Sequence, residues 1–131
     1  MHPKQEELEK KLSLLCQALD NHLEDKYGEH YNIHPNRLKR GQGANPSFDG
    51  LFSTSLAFTL GYGSKFGRGY VMNVEIRTLD RVSQYDMADI KADAFSFVRQ
   101  NLKTYIPEHE LDVVQDGPVM KVIGDFSLGE V

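Results

Sequence analysis

The 131-residue chain has no tryptophan and a single cysteine, Cys16. One thiol excludes an intramolecular disulfide framework and any multi-cysteine zinc module, and it fits a reducing compartment. Apolar runs are short, so no segment of the sequence reads as a bilayer-spanning helix. The start, Met1-His2-Pro3-Lys4-Gln5-Glu6-Glu7, lacks an apolar stretch of signal-peptide type, and no lipidation motif stands at either end. The expected location is the cytoplasm, with no membrane partner.

What is present is ordinary for one globular domain over residues 1–131: 40% hydrophobic and 26% charged residues. A chain of this length buries roughly two thirds of its unfolded surface and needs no covalent staple. The net charge of −4 is unevenly placed. Residues 1–29 and 80–131 are acidic, whereas 30–79 carry Arg37, Lys39, Arg40, Lys65, Arg68 and Arg77 against Asp49 and Glu75. A basic centre between acidic ends is either an anion site or a solvated surface balanced by its own termini.

Leu8, Leu12, Leu15, Leu19 and Leu23 recur at spacings of three and four, which predicts a long amphipathic helix. Pro3 suits its first turn, Glu6 and Glu7 suit its dipole, and Gly28 its C-cap. Residues 28–50 are punctuated by Gly28, Pro35, Gly41, Gly43, Asn45-Pro46 and Gly50 and read as irregular, with a short strand or turn near Ile33 or Leu38.

Period-two alternation then predicts two half-buried strands, Phe52–Leu60 and Tyr70–Arg77, joined as a hairpin by the four-glycine connector 61–69. Ser83 and Asp86 form a capping box that opens a second helix, whose stripe is Met87, Ile90, Ala94, Phe97, Val98, Leu102 and Tyr105 and which Pro107 ends. Two more strands, 111–114 and 119–123, flank an Asp116-Gly117 turn that Pro118 complicates. The tail from Asp125 to Val131 either extends the last strand or wanders. The fold class is α+β in the order α-β-β-α-β-β: a four-stranded, mainly antiparallel sheet with both helices on one face, which is also a permuted split βαβ sandwich.

No catalytic residue is assigned and no cofactor is expected. The connector 61–69 supplies glycines and the charges of Lys65 and Arg68, yet it leads into a strand, so no helix N-terminus awaits a phosphate. Its stretch Lys65-Phe66-Gly67-Arg68-Gly69-Tyr70-Val71 superficially resembles the RNP1 signature of RNA-recognition domains. Strand parity argues against that use, because Tyr70 falls in the apolar set with Met72, Val74 and Ile76; only Tyr62 and Phe66 are left to stack on a base. An anion or nucleic-acid site from Arg37, Lys39, Arg40, Lys65, Arg68 and Arg77 requires loops 36–50 and 61–69 to converge, and a pI near 5.7 disfavours nucleic acid.

His30 and His34 are weak metal candidates, since their i,i+4 spacing aligns two imidazoles only on a helix. Cys16 lies inside the leucine pattern and reads as a small hydrophobe; Asp86, Asp89 and Asp93 fall at helical spacings of three and four, where the helix dipole is sufficient reason for the first two and a carboxylate metal site is the lesser reading. The favoured reading is a non-enzymatic interaction module that pairs with itself or with another protein. Two surfaces suggest it: a small polar strip of Ser53, Ser55, Ala57, Thr59, Asn73, Glu75 and Arg77, and the leucine stripe of the first helix packing across a twofold axis. The alternative is a small anion binder or enzyme using the two glycine-rich loops.

Overall fold

The computed structural model describes residues 3–43 and 49–124. The expected order holds: α1 (Pro3–Tyr27), β1 (Phe52–Thr59), β2 (Gly69–Ile76), α2 (Gln84–Tyr105), β3 (Leu111–Asp116) and β4 (Val119–Gly124). The four strands make one sheet in the order β1-β2-β4-β3, and every neighbouring pair is antiparallel. Asn45-Pro46 and the tail 125–131 lie outside the described residues.

The leucine stripe of α1 is spent inside the chain. Leu8, Leu12, Leu15, Leu19 and Leu23 are all buried, packed with Phe52, Tyr70, Met72, Val74, Ile90, Ala94, Val98, Val113, Met120 and Val122. Burying a leucine contributes roughly 1.5–3 kcal/mol, so this shared core is what holds the helices to the sheet. It also corrects one expectation: with Leu12 and Leu19 fully buried, α1 offers no leucine stripe to a second copy. Cys16 is buried in the same core.

Local chemistry sets the boundaries. Ser83 Oγ accepts the Asp86 N–H at 3.1 Å and caps α2, as the capping box predicts. At the other end Ile106 N–H still reaches Leu102 O, and Pro107 stops the helix. The β3–β4 turn differs by one residue from expectation. The strand runs on through Asp116, and Gly117 at φ +63° with Pro118 next gives the order of a type II′ turn. Pro118, which complicated an Asp-Gly reading, fits its second central position.

Both helices cover the face that bears the even residues of β1, β2 and β4 and the odd residues of β3. The opposite face carries Ser55, Ala57, Asn73 and Glu75 as the alternation predicts. It also carries Lys121, which is 2% exposed. Among the described residues no helix is long and apolar enough to cross a membrane.

Candidate functional site

The six basic residues do not meet. Loop 36–50 enters β1 at its first residue, whereas 61–69 leaves its last, so a full hairpin, roughly 23 Å of strand, separates them. The expected concavity between the two loops therefore does not form among the described residues. Arg37 and Arg40 are turned inwards to organise backbone. Arg37 donates to Gly50 O at 2.8 Å and Asp49 O at 2.9 Å, and Arg40 donates to Phe52 O at 2.7 Å beside Glu24. Burial, with Arg77 and Arg40 nearby, holds the Arg37 guanidinium below its ordinary value. Arg77 pairs with Glu75 at 2.9 Å, and Lys39, Lys65 and Arg68 are exposed.

These inward arginines give residues 36–43 and 49–50 more order than their composition suggests. Leu38 bridges Asp49, Gly50 N–H donates to Leu38 O, and Gly43 N–H donates to the buried Asp49 carboxylate at 2.8 Å. Asp20, also buried, accepts from Thr54 Oγ at 2.7 Å and faces Arg40 and Arg37. Burial pushes the Asp20 carboxyl up to about 6, although Thr54 and the arginines pull the other way.

The histidine pair does not lie on a helix, because α1 ends at Tyr27. His34 is tied down from two sides, with its backbone N–H donating to Arg77 O just beyond β2 and its Nδ1 accepting from the Asn36 N–H of its own loop. No cluster of three or more His, Cys, Asp or Glu fit to hold a metal occurs among the described residues. Tyr62 is 90% exposed, and Phe66 is half-buried with Lys65 Nζ 5.1 Å from its ring centre.

The connector 61–69 is strapped from below by Lys121, which lies outside the basic cluster 30–79. Lys121 Nζ contacts Ser64 Oγ at 2.9 Å, Gly67 O at 3.0 Å and Asp116 Oδ2 at 2.9 Å. Ser64 Oγ in turn donates to Asp116 at 2.8 Å. The available signal was a lone cation in the apolar strand Val119-Met120-Lys121-Val122-Ile123.

The two sheet edges differ. Arg77 N–H donates to Leu51 O at 2.6 Å, which fixes the pairing: odd residues of β1 bond to β2, and even ones turn their backbone outwards. Leu56 and Phe58 thus present N–H and C=O groups to the free edge, while the Thr54 N–H is turned to the Asp20 carboxylate and Phe52 O is taken by Arg40. The strand, Phe-Ser-Thr-Ser-Leu-Ala-Phe-Thr, has no charge and no proline to blunt it. Phe58 is 45% exposed beside Tyr70, the two ring centres 5.3 Å apart.

At the other edge β3 is shorter and defended. Its outward residues are Leu111, Val113 and Gln115, and the Val113 N–H is occupied by the Asp112 carboxylate at 2.8 Å. Asp112 also faces Arg99 at 3.7 Å, and Asp116 closes the strand. Charges and a satisfied N–H are recognised ways of keeping an edge from pairing.

Residues 3–124, which include all six elements, match the model of a family described as "Uncharacterised protein". The chain belongs to that family. A relative from Borreliella burgdorferi, described in the same terms, is 45% identical over 120 residues, covering 92% of this chain and 94% of the relative. No solved structure matches the chain significantly.

Proposed function

We propose that the protein is a non-enzymatic interaction module that assembles by pairing its β1 edge with that of a second copy. The observation that carries this reading is the asymmetry of the edges, with β3 guarded by carboxylates along its length and β1 uncharged and open at Leu56 and Phe58. An antiparallel pair centred on Leu56 keeps the open backbone groups in register, with Thr54 O set to accept from the N–H of the partner's Phe58. On the open face, Ser55 then lies opposite the partner's Ala57, and neither side chain obstructs the approach.

The net charge of −4 opposes self-association in general, but β1 contributes nothing to it. A twofold axis perpendicular to the sheet leaves both helix layers on one side of a continuous eight-stranded sheet, and each Phe58 gains cover. A reducing compartment such as the cytoplasm suits the assembly. Burial, helped by Asp20, pushes the Cys16 thiol up to about 12, so it has no part in linking the pair.

Native mass spectrometry and light scattering across a concentration series test this reading. Wild type should be dimeric, and Ser55→Lys with Ala57→Lys, which sets like charges opposite each other, should be monomeric with an unchanged circular dichroism spectrum. A wild type that stays monomeric throughout, or a double variant that dimerises as before, overturns it.

A further inference from the structure

On the helix layer, where the end of α1 meets the start of α2, Tyr27, His30, Tyr31, Asp86, Asp89 and Ile90 line a cavity of about 160 Å³. A water takes about 30 Å³ of the liquid, so the space admits a solute of about five heavy atoms. Its walls combine two kinds of group that attract the same ligand. Tyr27 and His30 stand edge to face, their ring centres 5.8 Å apart at 80°, and Tyr31 adds a third ring. Asp86 and Asp89, three residues apart on α2, supply two carboxylates on neighbouring positions of one helix face.

The hydrogen bonding leaves those carboxylates available. Tyr31 Oη donates to Asp86 Oδ2 at 2.7 Å, which fixes the ring and the carboxylate together. That bond and partial desolvation hold the Tyr31 hydroxyl above its ordinary value, so it remains a neutral donor. Asp86 Oδ1, both oxygens of Asp89 and the His30 ring nitrogens carry no hydrogen bond among the described residues. Tyr27 Oη is held by Asp93, which also takes Lys26 at 2.7 Å, so Asp93 has its own counter-charge. Lys26 Nζ lies 5.5 Å from the Tyr27 ring centre, so a cation already uses that ring.

The start of α2 offsets part of the negative charge, and its dipole accounts for acids in the first turn. It does not account for a cavity walled by three rings around them. We infer that this cavity is a binding site for a small organic cation of the alkylammonium class. The ammonium would sit between Asp86 and Asp89, its alkyl chain on Ile90 and the aromatic faces. Rings and carboxylates together favour a cation that is only partly desolvated, and an aliphatic body suits the apolar floor better than a hydrated metal ion would.

The test titrates n-butylammonium into the full-length 15N-labelled protein at pH 8, following amide shifts. Neutral butanol is the isosteric control, and Asp89→Asn and Tyr31→Phe are the variants. Asp89 is exposed, so its variant keeps the fold, which an unchanged amide spectrum elsewhere verifies. Saturable shifts at residues 27–31 and 86–90 with butylammonium, none with butanol, and affinity about tenfold weaker in Asp89→Asn are expected, a loss typical of one charge-assisted bond. Absent or non-saturable shifts, equal response to butanol, or unchanged affinity in Asp89→Asn overturns the assignment. The readout does not depend on oligomeric state, so it stands or fails separately from the β1 edge.

Discussion

Lys121 reaches the connector only because Gly69, on the adjacent strand, has no side chain. A Cβ at Gly69 would lie 2.9 Å from Lys121 Cγ and 2.4 Å from Val122 O. The glycine clears a path along the open face, and the buried ammonium at its end replaces lost water with Ser64 Oγ, Gly67 O and the Asp116 carboxylate. Lys121 and Ser64 together hold the Asp116 carboxyl below its ordinary value, against the effect of burial.

Two changes probe that strap in different ways. Gly69→Ala meets backbone as well as side chain, so it should destabilise the fold by about 1–3 kcal/mol in urea unfolding. Lys121→Met keeps the aliphatic stem and removes the charge, so its main effect should be local. Trypsin should cleave after Lys65 and Arg68 several-fold faster than in wild type, because the connector has lost its anchor. Equal cleavage rates would show that the glycine-rich turns hold the connector without Lys121.

The connector shows where the sequence was legible and where it stopped. Alternation placed Tyr70 in the core, and it is 3% exposed there. The capping box and the leucine spacing placed both helices, since each is a local pattern of a fixed period. Lys121 was invisible because its burial depends on Gly69 and Ser64, more than fifty residues away. Arg37 and Arg40 looked like a surface cluster for the same reason: the carbonyls they bind belong to residues 49–52, and only the folded loop brings them close. The edge asymmetry needs strand order, which local periodicity does not contain.

Asp20 gives a pH dependence with a definite sign. Its folded value of about 6 lies above the ordinary 3.8, with burial the largest cause. Between those values the unfolded carboxyl ionises while the folded one keeps its proton, so stability falls as pH rises from about 4 to 6 and levels off above. The raised value corresponds to a loss on the order of 2–3 kcal/mol. Asp93 acts in a different window. Its burial is outweighed by Lys26, His22 and Tyr27, its carboxyl is held below the ordinary value, and its contribution is lost only as pH drops below about 4. Unfolding measured from pH 4 to 7 should show the decline in wild type and a flatter curve in Asp20→Asn, which can still accept from Thr54. Parallel curves would mean that Asp20 stays ionised in the fold.

The guard on β3 predicts what happens when it is removed. One open edge per chain lets two copies pair and leaves nothing further to add, so the assembly closes as a dimer. Asp112→Ala frees the Val113 N–H, removes a carboxylate from the edge and deletes the contact with Arg99. Each chain then has two open edges, and alternating β1–β1 and β3–β3 pairing has no geometric end. Light scattering of Asp112→Ala should show species above the dimer that grow with concentration, while Asp112→Asn, whose amide oxygen still accepts the Val113 N–H, should stay close to wild type. Combining Asp112→Ala with Ser55→Lys and Ala57→Lys should cut the series back to small species, because only the β3 edge then remains open. If Asp112→Ala behaves as wild type, the second carboxylate, Asp116, and the short length of β3 are sufficient guards by themselves.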